Sequence, residues 1–341
     1  MTFQFKRLLP GLFWAICPSF AQAREGWALS PDALRTSFDN IARVEAVGLG
    51  PALLTAALVA LMAWHAMRFD ASARELSAFR LLPAGLALRV SFGAILILGL
   101  IGAFPAPGTM RYHAAQLIVP DASLHHATYE TAIWFSTAFT ALLLITGLLT
   151  RLGALLLVAL TAYGAVTFGG GLAGPDGLIV LAACLLILLC DDGTAAVERL
   201  VTQKPAYVPP AAISGAAWRT AQILFGIALI WDGFIGGFLA PSVRVTLIEQ
   251  SGVSILGFSS IALVQTFGAA TTVAGILLIL GLATRLAALM AVLVQAALAV
   301  VLGVPVGAYL HLYALGAVFA LCTPSVVQTV SAPMDGRPRH A

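Results

Sequence analysis

Long apolar stretches separated by short polar ones run the length of the chain. The stretches cover 46–66, 88–105, 131–149, 152–169, 177–190, 220–240, 257–282, 286–303 and 306–322. Most approach the ~20 residues that carry an α-helix, at about 1.5 Å per residue, across about 30 Å of hydrocarbon. Within each stretch the apolar residues are continuous. The strand of a transmembrane barrel would instead alternate apolar and polar positions over about 10 residues. The pattern predicts an all-α integral membrane protein with nine transmembrane helices.

The first 23 residues follow a different pattern. Lys6 and Arg7 precede a short apolar run from Leu8 to Phe20, broken by Pro10 and Pro18, and Ala21-Gln22-Ala23 has the A-x-A form of a cleavage site. Residues 1–23 therefore read as a signal peptide, and 24–45 as a periplasmic segment. Within that segment Ser30 and Pro31 can start a short surface helix with Leu34, Phe38 and Ile41 on one face.

Composition sharpens this picture. The 341 residues are 60% hydrophobic with a mean hydropathy of +0.97, and they hold only 18 basic and 15 acidic residues. A soluble chain of this length would carry roughly 85 charges. Disordered proteins, nucleic-acid binders and ordinary soluble enzymes are excluded, and the lipid bilayer is the expected surrounding. A net charge of +3 is too small to imply an acidic partner, but its distribution is informative. With the mature N-terminus outside, the inner segments hold Arg68, Arg74, Arg80, Arg89, Arg151, Arg199, Lys204, Arg219, Arg285, Arg337 and Arg339, eleven in all. The outer ones hold Arg24, Arg35, Arg43, Arg111 and Arg244, which is five. The positive-inside rule then predicts a multi-pass protein of the bacterial cytoplasmic (inner) membrane, with a periplasmic N-terminus and a cytoplasmic C-terminus. Cytoplasmic linkers are expected at 68–87 and 191–218, and a cytoplasmic tail at 325–341.

The chain also repeats itself. Gly147-Leu148-Leu149-Thr150-Arg151-Leu152-Gly153-Ala154-Leu155 matches Gly281-Leu282-Ala283-Thr284-Arg285-Leu286-Ala287-Ala288-Leu289 at seven of nine positions, 134 residues apart. At the same offset Ile101–Pro107 matches Ile235–Pro241 at five of seven. Two blocks sharing one offset point to a duplicated four-helix module, over 88–190 and 219–324, preceded by the extra helix 46–66. Four helices return the chain to the side it started from, so the two bundles are parallel repeats. The Gly-Leu-x-Thr-Arg block joins two spans with almost no loop, which predicts a tight hairpin whose Arg sits at the water edge.

A four-span module with this hairpin between its second and third helices resembles the DoxX family, here as a duplicated DoxX-like module over about 88–324. The resemblance implies an integral membrane subunit of an oxidoreductase system. It implies a quinone-linked activity and a redox partner protein that supplies electrons, because the chain itself carries no cofactor motif. A small-solute transporter and a purely structural membrane subunit are the alternatives.

Candidate chemistry is sparse. Cys17 lies in the signal segment, while Cys184, Cys190 and Cys322 lie in or beside spans and form no C-x-x-C pair. His113, His125 and His126 share the loop 106–130 with Asp121, but no metal-ligand spacing is present. The best constellation is in the second module. Asp232, Gln265, Gln295 and His311 fall in four successive spans, each about two helical turns below the outer end. An ionisable group in hydrocarbon is expensive and is expected to face the bundle interior. Asp232 and His311 are accordingly the candidate catalytic, proton-exchanging pair. Gln265 and Gln295, flanked by Trp231 and Tyr309, are the candidate binding residues for a quinone headgroup. The corresponding places in the first module hold Leu98, Thr131, Thr161 and Gly177, so the polar set belongs to the second module alone. Interhelical hydrogen bonding is the competing reading.

Overall fold

A computed structural model describes Ala57, Leu61 and residues 84–101, 130–168, 175–190, 196–197, 211–239, 241–252, 257–302 and 309–322. The signal peptide, the periplasmic segment, nearly all of the first expected span, the linker at 68–83, the loop bearing His113, His125 and His126 and the C-terminal tail lie outside the described residues. Among the described residues the fold is all-helical, with no strand. The helices are α1 (Ala84–Leu100), α2 (Glu130–Thr146), α3 (Thr150–Phe168), α4 (Pro175–Cys190), α5 (Ala211–Ile230), α6 (Ser242–Ser251), α7 (Ser260–Leu280), α8 (Thr284–Val301) and α9 (Leu310–Leu321). A π-helical segment, Trp231–Leu239, continues α5. Among the described residues three helical stretches are long and apolar enough to cross a membrane: Gly215–Leu239, Ser260–Leu280 and Thr284–Val301. α1, α2, α3, α4 and α9 carry shorter apolar stretches, and the chain has the character of a membrane protein.

The hairpin blocks fold alike. α2 ends at Gly147 (φ 69°) and α3 begins after Leu149 (φ 50°); α7 ends at Gly281 (φ 74°) and α8 begins after Ala283 (φ 45°). In both, the Gly takes the left-handed conformation that costs a residue without Cβ little. At the second hairpin Gly281 N–H donates to Leu278 O at 3.0 Å and Leu282 N–H to Leu277 O at 2.9 Å, closing the helix C-terminus. A cation covers each turn. A Cβ on Gly147 would collide with the Arg89 guanidinium of α1, and one on Gly281 would meet Arg219 Nη1 of α5 at 2.9 Å. Arg219 donates to Leu278 O and Ile279 O, and Gln222 to Leu278 O at 2.6 Å. These bonds satisfy carbonyls at the negative end of α7. This pole is called the hairpin end below, and the opposite pole the far end.

Helix packing repeats as well. α1 packs on α2, α2 on α3 and α3 on α4; α5 packs on α7, α7 on α8 and α8 on α9. A Cβ on Gly93 would lie 2.5 Å from Ile145 Cγ1, and one on Gly226 would lie 2.6 Å from Ile279 Cγ1. Ile145 maps to Ile279 by 134 residues and Gly93 to Gly226 by 133, so the same close contact recurs with a one-residue slip in the first helix of each half. The halves join where α4 packs on α5 and α9 packs on α1 and α4. One apolar core runs through both, with Leu88, Phe92, Leu144, Leu157, Leu186, Phe225, Leu278, Leu312 and Phe319 fully enclosed or nearly so. Phe225 and Phe319 stack at its centre, 5.7 Å between centroids.

The helices depart from the expected bounds in three places. α5 begins at Ala211, inside the stretch read as a linker, and α9 begins at Leu310, later than the apolar run at 306. The segment after Pro241, read as an outer loop, folds as α6. Its Val243, Leu247 and Ile248 pack on Leu263, Val264, Leu298 and Tyr309 to form a second, smaller core at the far end.

Candidate functional site

The far end of the second half is built around Asp232. α5 changes to π-helical winding at Trp231, a local widening that is uncommon and frequent at functional sites. The segment is rich in Gly, and this has a use. A Cβ on Gly236 would lie 2.5 Å from Arg244 Cζ, so the missing side chain is the space the guanidinium fills. Arg244 stands in the first turn of α6 and reaches back into the bundle. Its Nη2 donates to Asp232 Oδ1 at 2.7 Å and its Nη1 to Asp232 O at 3.3 Å. Both side chains are only 2% exposed.

Three further groups complete the network. Gln295 of α8 donates through Nε2 to Asp232 Oδ2, and the same nitrogen lies 3.4 Å from Thr271 Oγ1 of α7. Thr271 gives its own proton to Phe267 O at 2.9 Å, leaving its oxygen to accept. Since a carboxylate only accepts, the direction of every bond is set. Gln295 Nε2 must face Asp232, and Gln295 Oε1 must point the other way. That oxygen is buried with no hydrogen-bond partner among the described residues, as are Gln265 Oε1 on α7 and Ser242 Oγ at the start of α6.

The expected Asp232–His311 pair is replaced by two separate pairs. His311 Nε2 lies 2.8 Å from Asp176 Oδ1, joining α9 of the second half to the first turn of α4 in the first. Asp232 has both carboxylate oxygens engaged by Arg244 and Gln295. Counting depth along each span placed Asp232 and His311 at one level, but level does not fix the direction a helix face points. His311 faces the junction of the halves; Asp232 faces α6 and α8. Gln295 shares the site with Asp232 as expected, while Gln265 is buried on α7 and bonds no side chain of the network. Trp231 opens the π-helical segment and is partly buried. Tyr309 is buried in the smaller core, its ring 6.4 Å from Tyr313. In the first half Thr161 turns its hydroxyl to Leu157 O at 2.8 Å and builds no comparable network.

Arg244, Thr271 and Asp176 belong to these contacts and were not singled out by the sequence pattern. Arg244 had a signal: Val243, Leu247 and Ile248 share helical spacing, which marks the segment after Pro241 as a helix, not a loop. Asp176 follows Pro175 at a helix start, one residue ahead of the apolar run that began at 177.

Chemically, the Arg244–Asp232 pair is a self-neutralised polar core, and the glutamine oxygens beside it offer acceptors to a neutral, hydroxyl-bearing group. Among the described residues no group of three or more His, Cys, Asp and Glu is placed to hold a metal. No protein-family model, curated protein or solved structure matches the chain.

Proposed function

We propose that the chain is a DoxX-like, multi-pass subunit of a quinone-linked oxidoreductase system in the bacterial cytoplasmic membrane. In this reading it crosses the membrane nine times, with the N-terminus periplasmic and the hairpin end cytoplasmic. The far end of the second half then faces the periplasm and binds a quinone-type headgroup, with Gln295 and Gln265 as its polar contacts. Electrons pass between that headgroup and a partner protein. The observation that carries the reading is Gln295: fully buried, locked in orientation by Asp232, and left with an acceptor oxygen that no group among the described residues satisfies. A buried polar atom without a partner costs about 1–3 kcal/mol, and such exceptions call for a specific explanation. The Arg244–Asp232 pair holds α6 against the bundle and sets the amide of Gln295.

The test is to purify the full-length protein in mild detergent, extract it with organic solvent and quantify prenylquinone per chain. The wild type retains quinone well above its share of co-purified lipid, and Gln295→Met and Gln265→Met lose it. Equal retention in all three would remove the assignment. A second reading, a purely structural membrane subunit, is favoured by the completeness with which Arg244 and Gln295 occupy the Asp232 carboxylate. It predicts quinone at background in every variant.

A further inference from the structure

We infer that the site holds the reduced, hydroxyl-bearing form of its ligand more tightly than the oxidised form; this rests on the quinone reading above. The argument is one of hydrogen-bond polarity. From Arg244 through Asp232, Gln295 and Thr271 to the carbonyl of Phe267, each donor and acceptor has one possible role. Rotating the Gln295 amide by a half-turn would set its oxygen against the Asp232 carboxylate, acceptor against acceptor, so the observed orientation is the stable one. Gln295 therefore offers the site an acceptor and nothing else, since Nε2 is spent on Asp232 and Thr271. Gln265 Oε1 is a second buried acceptor that no donor among the described residues satisfies; of the other buried polar atoms, the Ser242 and Tyr313 hydroxyls could serve either way and the Trp231 Nε1–H can only donate.

A benzoquinone has two carbonyl oxygens and no donor. Against Gln295 Oε1 it would place oxygen beside oxygen and leave the amide as unsatisfied as before. The hydroquinone carries two O–H groups, and one of them completes the bond Gln295 lacks. The difference between the forms is one buried hydrogen bond made or left unmade, which corresponds to about a tenfold difference in affinity. The selectivity belongs to the second half, because the first half holds Thr161 and Leu98 where the second holds Gln295 and Asp232.

The experiment uses full-length protein in lipid nanodiscs, with empty nanodiscs to correct for partition. Three probes of one shape are compared: a decyl-chain benzoquinone, its hydroquinone kept anaerobic, and the dimethyl ether of that hydroquinone. The hydroquinone binds about tenfold tighter than the other two, and Gln295→Met brings it down to their level. Equal binding of quinone and hydroquinone overturns the inference while leaving the quinone site standing. An ether that binds as well as the hydroquinone overturns it too, on the wild type alone, whether or not the variant folds. Failure of all three probes to bind above empty nanodiscs overturns the quinone reading itself.

Discussion

Replacing Asp232 with Leu tests whether the Arg244 pair is part of the foundation of the far end. The leucine at 98 in the first half does not make leucine harmless at 232, because here a guanidinium is buried against the side chain. Asp232→Leu leaves Arg244 with the main-chain oxygen of Asp232 at 3.3 Å as its recorded bond to that residue, and takes from Gln295 the carboxylate that orients it. With both charged side chains 2% exposed, breaking the pair from one side costs about 3–5 kcal/mol. Arg244→Met should cost a similar amount by taking the counter-charge from a buried carboxylate. Removing both charges removes the problem, so Asp232→Leu/Arg244→Met should regain most of the loss, with a coupling of at least about 2 kcal/mol. Equilibrium unfolding in mixed micelles of rising dodecyl sulfate content measures all four proteins on one scale. Single variants that each lose under about 1 kcal/mol, and that simply add in the double, would refute the buried pair.

Other substitutions separate the parts of the fold. Gly233→Ala should lose at least about 2 kcal/mol, because its Cβ would stand 2.5 Å from Gly268 O and 2.7 Å from Thr272 N, and backbone must move. Gly252→Ala, at a left-handed position with nothing within 4 Å, should lose only about 1 kcal/mol from strain. Gly147→Ala should cost more than Gly252→Ala, since it displaces the Arg89 guanidinium as well; thermal unfolding in detergent ranks all three. His311→Leu should break the contact with Asp176 at the junction of the halves and speed hydrogen exchange in α4 and α9 but not across the α7–α8 hairpin. His311→Leu/Asp176→Leu should restore the slow exchange.

What the sequence revealed, and what it concealed, follows from how local each feature is. The hairpins were legible because Gly147 and Gly281 announce a left-handed turn and Arg151 and Arg285 follow at once, all within one short block. The repeat was legible for the same reason, though the one-residue slip between Gly93 and Gly226 emerges only from the contacts they make. α6 was obscured because hydropathy separates membrane from water, and Ser242–Ser251 mixes both. The partners of Asp232 and His311 were beyond reach of the pattern. His311–Asp176 is a contact between residues 135 apart, decided by how α9 packs on α4. Arg244 reads as an outer charge, and nothing local says that the glycine at 236 opens a place for it inside. The polar residues themselves were picked correctly as interior; their azimuth came from tertiary packing.

The central claim is that a quinone-type headgroup sits at the far end of the second half, and photoaffinity labelling tests it most directly. Full-length protein in nanodiscs is irradiated with an azido-quinone and the labelled peptides are identified by mass spectrometry. The account predicts label on the peptides carrying Gln265 and Gln295, competed by unlabelled hydroquinone and lost in Gln295→Met. Label confined to the exposed apolar faces of α2 and α3, around Phe135, Phe139, Leu142 and Leu155, and indifferent to competitor, would mark simple solution in lipid and contradict the claim.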